Sequence, residues 1–152
     1  MATAQEIARY IVCFFQEAED PVSNLKLQKL LYYVQGWHLA LQDGPAFNDR
    51  IEAWVHGPVQ PGVYGAYKHF RWNPITDEVA KPQLEDGLKA VVDAVLETYG
   101  GDSGFELEQR THGESPWLEA RGALPPDAES NNVLTHAAMK NFFVGLRDAE
   151  AQ

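Results

Sequence analysis

The chain has 152 residues, of which 22 are acidic and 12 basic, for a formal net charge of −10, with 45% apolar residues and one cysteine. That length supports one buried core, and the acidity excludes a general phosphate-binding surface, because each phosphate contact needs a cation. The lone Cys13 excludes an internal disulfide and fits a reducing cytoplasm, no apolar run reaches the roughly 20 residues that cross a bilayer, and the first turns lack the basic stretch of a secretory leader.

Taken in chain order, residues 4–18 place Ile7, Tyr10, Ile11, Phe14 and Phe15 at the spacing of one helical face, which Pro21 ends. Ser23 or Asn24 caps a second helix with Leu27, Leu30, Leu31, Val34, His38 and Leu41 as its apolar positions, and Gly44-Pro45 stops it. Gly36 lies inside that helix at a cost of about 1 kcal/mol relative to alanine, which predicts the close approach of another backbone. Phe47, Ile51, Ala53 and Val55 then alternate with polar residues, so a short strand is expected at 51–55, paired as a small hairpin with residues 75–79. Pro58 pushes Gly57 towards an extended conformation. Pro61 opens a helix carrying Val63, Tyr64, Tyr67 and Phe70, and Trp72-Asn73-Pro74 breaks it.

Leu84, Leu88, Val91, Val92, Val95, Leu96 and Tyr99 repeat at helical spacing, closed by Gly100-Gly101. Ser103 and Glu106 form a capping box for the next helix. Pro116 opens a shorter one that Gly122 ends, and Thr135 caps the last, which carries Met139, Phe142, Phe143 and Leu146. The reading is a mainly α fold, one domain over residues 1–152, with six or seven helices and no internal repeat.

Groupings that carry chemistry are absent from the pattern. The five histidines show no pair at metal-binding helix spacing, and no nucleophile elbow or phosphate loop is present, so no catalytic, metal or cofactor residues are assigned. An enzyme built on His112 and Glu114 is the alternative, against which Thr111, His112 and Glu114 read as a hydrogen-bonded turn before the helix at Pro116 and Trp117. The aromatics are more telling. Tyr33 and Trp37 stand four apart, and Trp54, His56, Gly57 and Pro58 crowd into five positions. Either the second helix is central and buried all round, or one side of it is a binding surface rich in the residues that anchor protein interfaces. The expected contact residues are Lys26, Lys29, Tyr33, Trp37, Trp54, His56 and Tyr64. Gly36, Gly57, Pro58, Thr111, His112, Glu114, Pro116 and Trp117 are expected to be structural. An acidic surface matches a basic protein partner, whose approach it steers. Lys68, His69 and Arg71 form the one local basic group, too small to offset the charge for nucleic acid.

The strings LKLQKLLYYVQGWHLA at 25–40, IEAWVHGPVQPGVYGAY at 51–67 and THGESPW at 111–117 resemble the Panacea domain, the SocA-like antitoxin family that also includes phage-associated GepA-type proteins. The resemblance runs from Ile7 to Phe143. It implies a mainly helical, non-enzymatic antitoxin of a type II toxin-antitoxin system that neutralises a co-encoded toxin by direct binding. Two other roles are implied for such chains: an adaptor that delivers its toxin to a Clp-type protease, and a prophage gene product with a separate task.

Overall fold

Helix α2, Asn24–Gln42, carries bulky side chains on nearly every face, and a helix of that kind is stable only when surrounded. The computed structural model, which describes residues 1–151, places it at the centre of a mainly α fold. Around it pack α1 (Ala4–Glu17), α3 (Pro61–Tyr67), α4 (Asp86–Tyr99), α5 (Gly104–His112) and α7 (His136–Glu150), with α6 (Ser115–Arg121) against α7. Of the two expectations for the aromatic-rich helix, central burial is the one observed: Tyr32 and Tyr33 have no exposed surface.

Local signals set most of the boundaries. Thr3 and Glu6 close a capping box on α1, and Ser103 and Glu106 close the expected one on α5. The Ser23 hydroxyl, not the Asn24 side chain, caps α2 by accepting from the Lys26 N–H at 3.2 Å. Asn24 instead donates to the Tyr64 carbonyl at 3.2 Å, tying α2 to α3. On α1 the buried face runs through Ala4, Ala8 and Val12 beside Ile7 and Ile11, which turns Phe14 partly outward. Leu41 likewise ends up half exposed at the last turn of α2, where no element covers it.

Gly36 is required, for a different reason from the expected one. A Cβ there would overlap the ring of Phe143 from α7, so the close neighbour is an aromatic side chain and not a second backbone.

The hairpin is present, but its second strand is not at 75–79. Strand β1, Glu52–Trp54, pairs antiparallel with β2, Gly57–Val59, in the register Glu52 to Val59 and Trp54 to Gly57. A two-residue connection closes at far lower entropic cost than a loop of some twenty residues. Pro58, which reads as a strand breaker, is tolerated because an edge strand does not need its N–H. Residues 75–79 run over α1 instead: Gln16 donates to the Asp77 carbonyl at 2.8 Å, and the Cys13 thiol to the Val79 carbonyl at 3.2 Å. On the other side of β1 lies the loop before α7. Ala53 N–H donates to the Asn132 carbonyl at 2.8 Å, and Leu134 N–H to the Ile51 carbonyl at 2.9 Å.

Candidate functional site

The cleft that matters here is built by polar residues of α2 that sequence periodicity counts as interruptions. Gln28 and Gln35 stand seven apart, on one face, and both are buried. Gln35 holds the loop after α2, accepting from Ala46 N–H at 2.8 Å and donating to the Phe47 carbonyl at 2.8 Å. Gln28 accepts from Gln60 N–H at 2.9 Å and donates to Asn24. Lys29 donates to the Pro58 carbonyl at 3.0 Å. A buried amide or ammonium is stable only when bonded, so these three side chains fix how the hairpin and its flanks lie on α2.

Between the start of α2, the hairpin, α3, α5 and the loop before α7 lies a cleft of about 910 Å³. Trp54 and Tyr64 meet edge to face on one wall, ring centroids 5.0 Å apart. Trp54 is held at both ends: its Nε1–H donates to Glu52 at 2.8 Å, and its carbonyl accepts from Trp117 Nε1–H at 2.8 Å. Glu52 also takes Arg50 at 2.7 Å. On the α5 side His56 meets Glu108 at 3.1 Å. Asp127, Glu129, Ser130 and Asn131 also line the cleft. Arg121 pins that loop, donating to the carbonyls of Ala53 at 3.0 Å, Pro125 at 2.8 Å and Ala128 at 2.6 Å. The outer lip is Arg71 and Trp72. Arg71 adopts φ +57°, a left-handed conformation that non-glycine residues seldom take, and Trp72 beside it is 91% exposed.

Four of the seven expected contact residues therefore line one cleft: Lys29, Trp54, His56 and Tyr64. Lys29 does so without exposed surface, and burial pulls its ammonium down to about 7, against an opposing pull from Glu108. The other three lie elsewhere. Lys26 donates to the Gly100 carbonyl at 2.6 Å and sits over the Phe15 ring, closing the end of α4. Tyr33 is inside the core, stacked on Tyr99 with centroids 4.0 Å apart. Trp37 is half-buried and donates to the Tyr99 hydroxyl at 2.9 Å. The sequence reading missed Glu52, Glu108, Trp72, Asp127 and Glu129 as cleft residues. Only Trp72 carried a signal, a tryptophan placed in a turn outside any apolar face.

The 111–117 turn has its own logic. Glu114 is buried; Tyr32 and Tyr33 donate their hydroxyls to its two oxygens at 2.9 and 3.1 Å. Burial pushes its carboxyl up to about 7, even though both hydroxyl bonds act in the other direction. Its backbone starts α6 while its side chain turns back to α2, so the side chain does not cap. His112 stacks on Trp117 with centroids 4.3 Å apart, and burial lowers its pKa. No hydrogen bond joins His112 to Glu114 among the described residues. Nor does any group of three or more His, Cys, Asp or Glu side chains there have metal-binding geometry. No described helix is long and apolar enough to cross a membrane.

Gly57 sits where these parts converge, with φ +101°. An added Cβ would stand 2.8 Å from Lys29 Cε and 2.8 Å from Thr111 Oγ1. Gly57→Ala is expected to cost about 2 kcal/mol, from backbone strain plus crowding. Urea unfolding of the variant measures it, and an unchanged midpoint would refute the account.

Comparison with known proteins gives a family match. Residues 27–118 match the family model described as antitoxin SocA-like, Panacea domain. The chain is 31% identical over 127 residues to Antitoxin SocA of Caulobacter vibrioides (strain NA1000 / CB15N), covering 75% of this chain and 68% of that protein. No solved structure matches.

Proposed function

The chain belongs to the SocA-like antitoxin family with a Panacea domain, and on that premise we propose that it is a non-enzymatic antitoxin of a type II system, acting in the cytoplasm. It neutralises a co-encoded toxin by binding it directly, with residues 1–152 working as one unit. The contact face is the cleft between the hairpin and the 127–131 loop. The observation that carries this reading is the exposed aromatic lip of a cleft whose hairpin and α5 walls lie inside the matched segment 27–118. An aromatic such as Trp72 left 91% exposed has no folding role that would keep it apolar. Aromatic anchors at the edge of a rigid cleft are the usual source of binding energy in a protein interface.

The test is growth. Cells induced for the product of the adjoining gene should stop growing, and co-expression of this chain should restore growth. Trp72→Ala, at a side chain 91% exposed, is expected to weaken toxin binding by roughly tenfold or more. If this chain fails to rescue growth, direct neutralisation is wrong. Immunoblots of the toxin sharpen the result: masking leaves its level unchanged or higher, whereas a fall would mark delivery to a protease.

A further inference from the structure

The cleft is not electrostatically neutral, and the way its charges are already engaged says what it can accept. Four carboxylates line it: Glu52, Glu108, Asp127 and Glu129. Glu52 is satisfied by Arg50 and Trp54, and Glu108 is engaged by His56. Asp127 and Glu129 are exposed, and among the described residues neither makes a hydrogen bond or an ion pair. Against them the lining sets Arg71 at the lip and Lys29, which has no exposed surface. The unengaged carboxylate charge in the cleft that Trp54 and Tyr64 also line is therefore negative. A planar cation is attracted both to an aromatic face and to a carboxylate, and a cleft lined by both favours it over a neutral or acidic group.

We propose that this cleft seats a basic segment of the partner polypeptide, with an arginine side chain drawn to the Trp54 and Tyr64 rings and to the Asp127 and Glu129 carboxylates that line it. The proposal deepens the antitoxin reading by naming the chemistry of the bound element. The chain's net charge of −10 adds long-range attraction for such a segment, while the cleft decides where it lands. Arg71 opposes it from the lip and sets the edge beyond which a second cation is disfavoured.

The test uses two synthetic peptides as probes, one alternating glycine with arginine and one alternating glycine with glutamate. Each is titrated into the full chain while the tryptophan indole N–H signals are followed by NMR. The arginine peptide is expected to move the Trp54 and Trp72 signals and the glutamate peptide to leave them in place. Asp127→Asn with Glu129→Gln should weaken the arginine peptide by roughly tenfold, and Arg71→Gln should tighten it by roughly threefold. Glu85→Gln with Glu97→Gln, an equal loss of charge at the N-cap of α4 and within it, away from the cleft, should leave affinity unchanged within about twofold. Absence of the Trp54 and Trp72 shifts overturns the proposal, as does an equal effect of the α4 control, which would mark non-specific attraction. Peptide binding without growth rescue would refute the antitoxin reading and keep the basic-segment site. Growth rescue without peptide binding at Trp54 would do the reverse and move the toxin to another face.

Discussion

Gly36→Ala is expected to lower the unfolding free energy by about 3 kcal/mol, although alanine is the better helix former by about 1 kcal/mol. The added methyl would occupy the space of the Phe143 ring. That ring has little freedom to retreat: Tyr32, Tyr33, Trp37 and Phe142 all meet it edge-on, and its exposure is zero. The two helices must separate or the aromatic cluster must rearrange, and close-packed interiors resist both. Thermal unfolding should fall by roughly 6–12 °C for a domain of this size. Phe143→Leu supplies the control. By itself it should cost about 1–2 kcal/mol through a small cavity, but combined with Gly36→Ala the two losses should be clearly less than additive. Additive losses would show that the ring is not what excludes the methyl.

Stability is expected to pass through a minimum near pH 7, the reverse of the usual maximum there. Two buried groups dominate it, while the His112 imidazole, its pKa lowered by burial, partly offsets the acid limb below about pH 6.5. The Glu114 carboxyl, pushed up to about 7 by burial under Tyr32 and Tyr33, binds a proton in the folded state that the unfolded chain releases near the ordinary glutamate value of 4.5. Its contribution is full below about pH 4.5 and is lost as pH rises to about 7, on the order of 3 kcal/mol. The Lys29 ammonium, pulled down to about 7 from 10.5 by burial beneath the hairpin, behaves oppositely. The unfolded chain binds the extra proton between those values, so stability rises with pH above 7, on the order of 5 kcal/mol by pH 10.5. The buried tyrosines, whose pKa values are raised, bring a further loss only above about pH 10. Urea unfolding from pH 5 to 9.5 measures the profile. Glu114→Gln should flatten its acid limb, and Lys29→Met its alkaline limb. A maximum at pH 7, or limbs unchanged in those variants, would show that neither group titrates as its burial requires.

The same lysine and glutamate that create the minimum hold the hairpin and the 111–117 turn against α2, and the hairpin carries Trp54 into the cleft. A rigid cleft wall is therefore maintained by two buried ionisable groups, each stabilised by hydrogen bonds rather than by an ion pair with the other.

How much of this was legible before the fold was known differs residue by residue. Helix caps at Thr135 and Ser103, the proline at the first turn of α6 and the apolar face of α4 from Leu88 to Tyr99 were read correctly, because each is set by neighbours within one or two turns, whereas Leu84 lies before the start of α4 at Asp86. The need for glycine at position 36 was legible, but its neighbour was not. Lys29 was expected at a surface, since a lysine in a polar-looking slot of a helix usually faces water. Nothing near it in the chain reveals that the Pro58 carbonyl arrives to accept its hydrogen bond.

What the sequence determined by itself was the helical scaffold, its boundaries and the family. Periodicity, capping and the three motif strings act over short separations, where the energy of one choice hardly depends on the rest of the chain. The pairing of 52–54 with 57–59, the inward turn of Lys29 and Glu114, and the lining of one cleft by Trp54, Tyr64, Asp127 and Glu129 came from the tertiary fold. Those outcomes join residues that are far apart or compete for several partners. They are settled by which arrangement buries apolar surface while leaving every buried polar group bonded, a condition that belongs to the whole molecule and not to any segment.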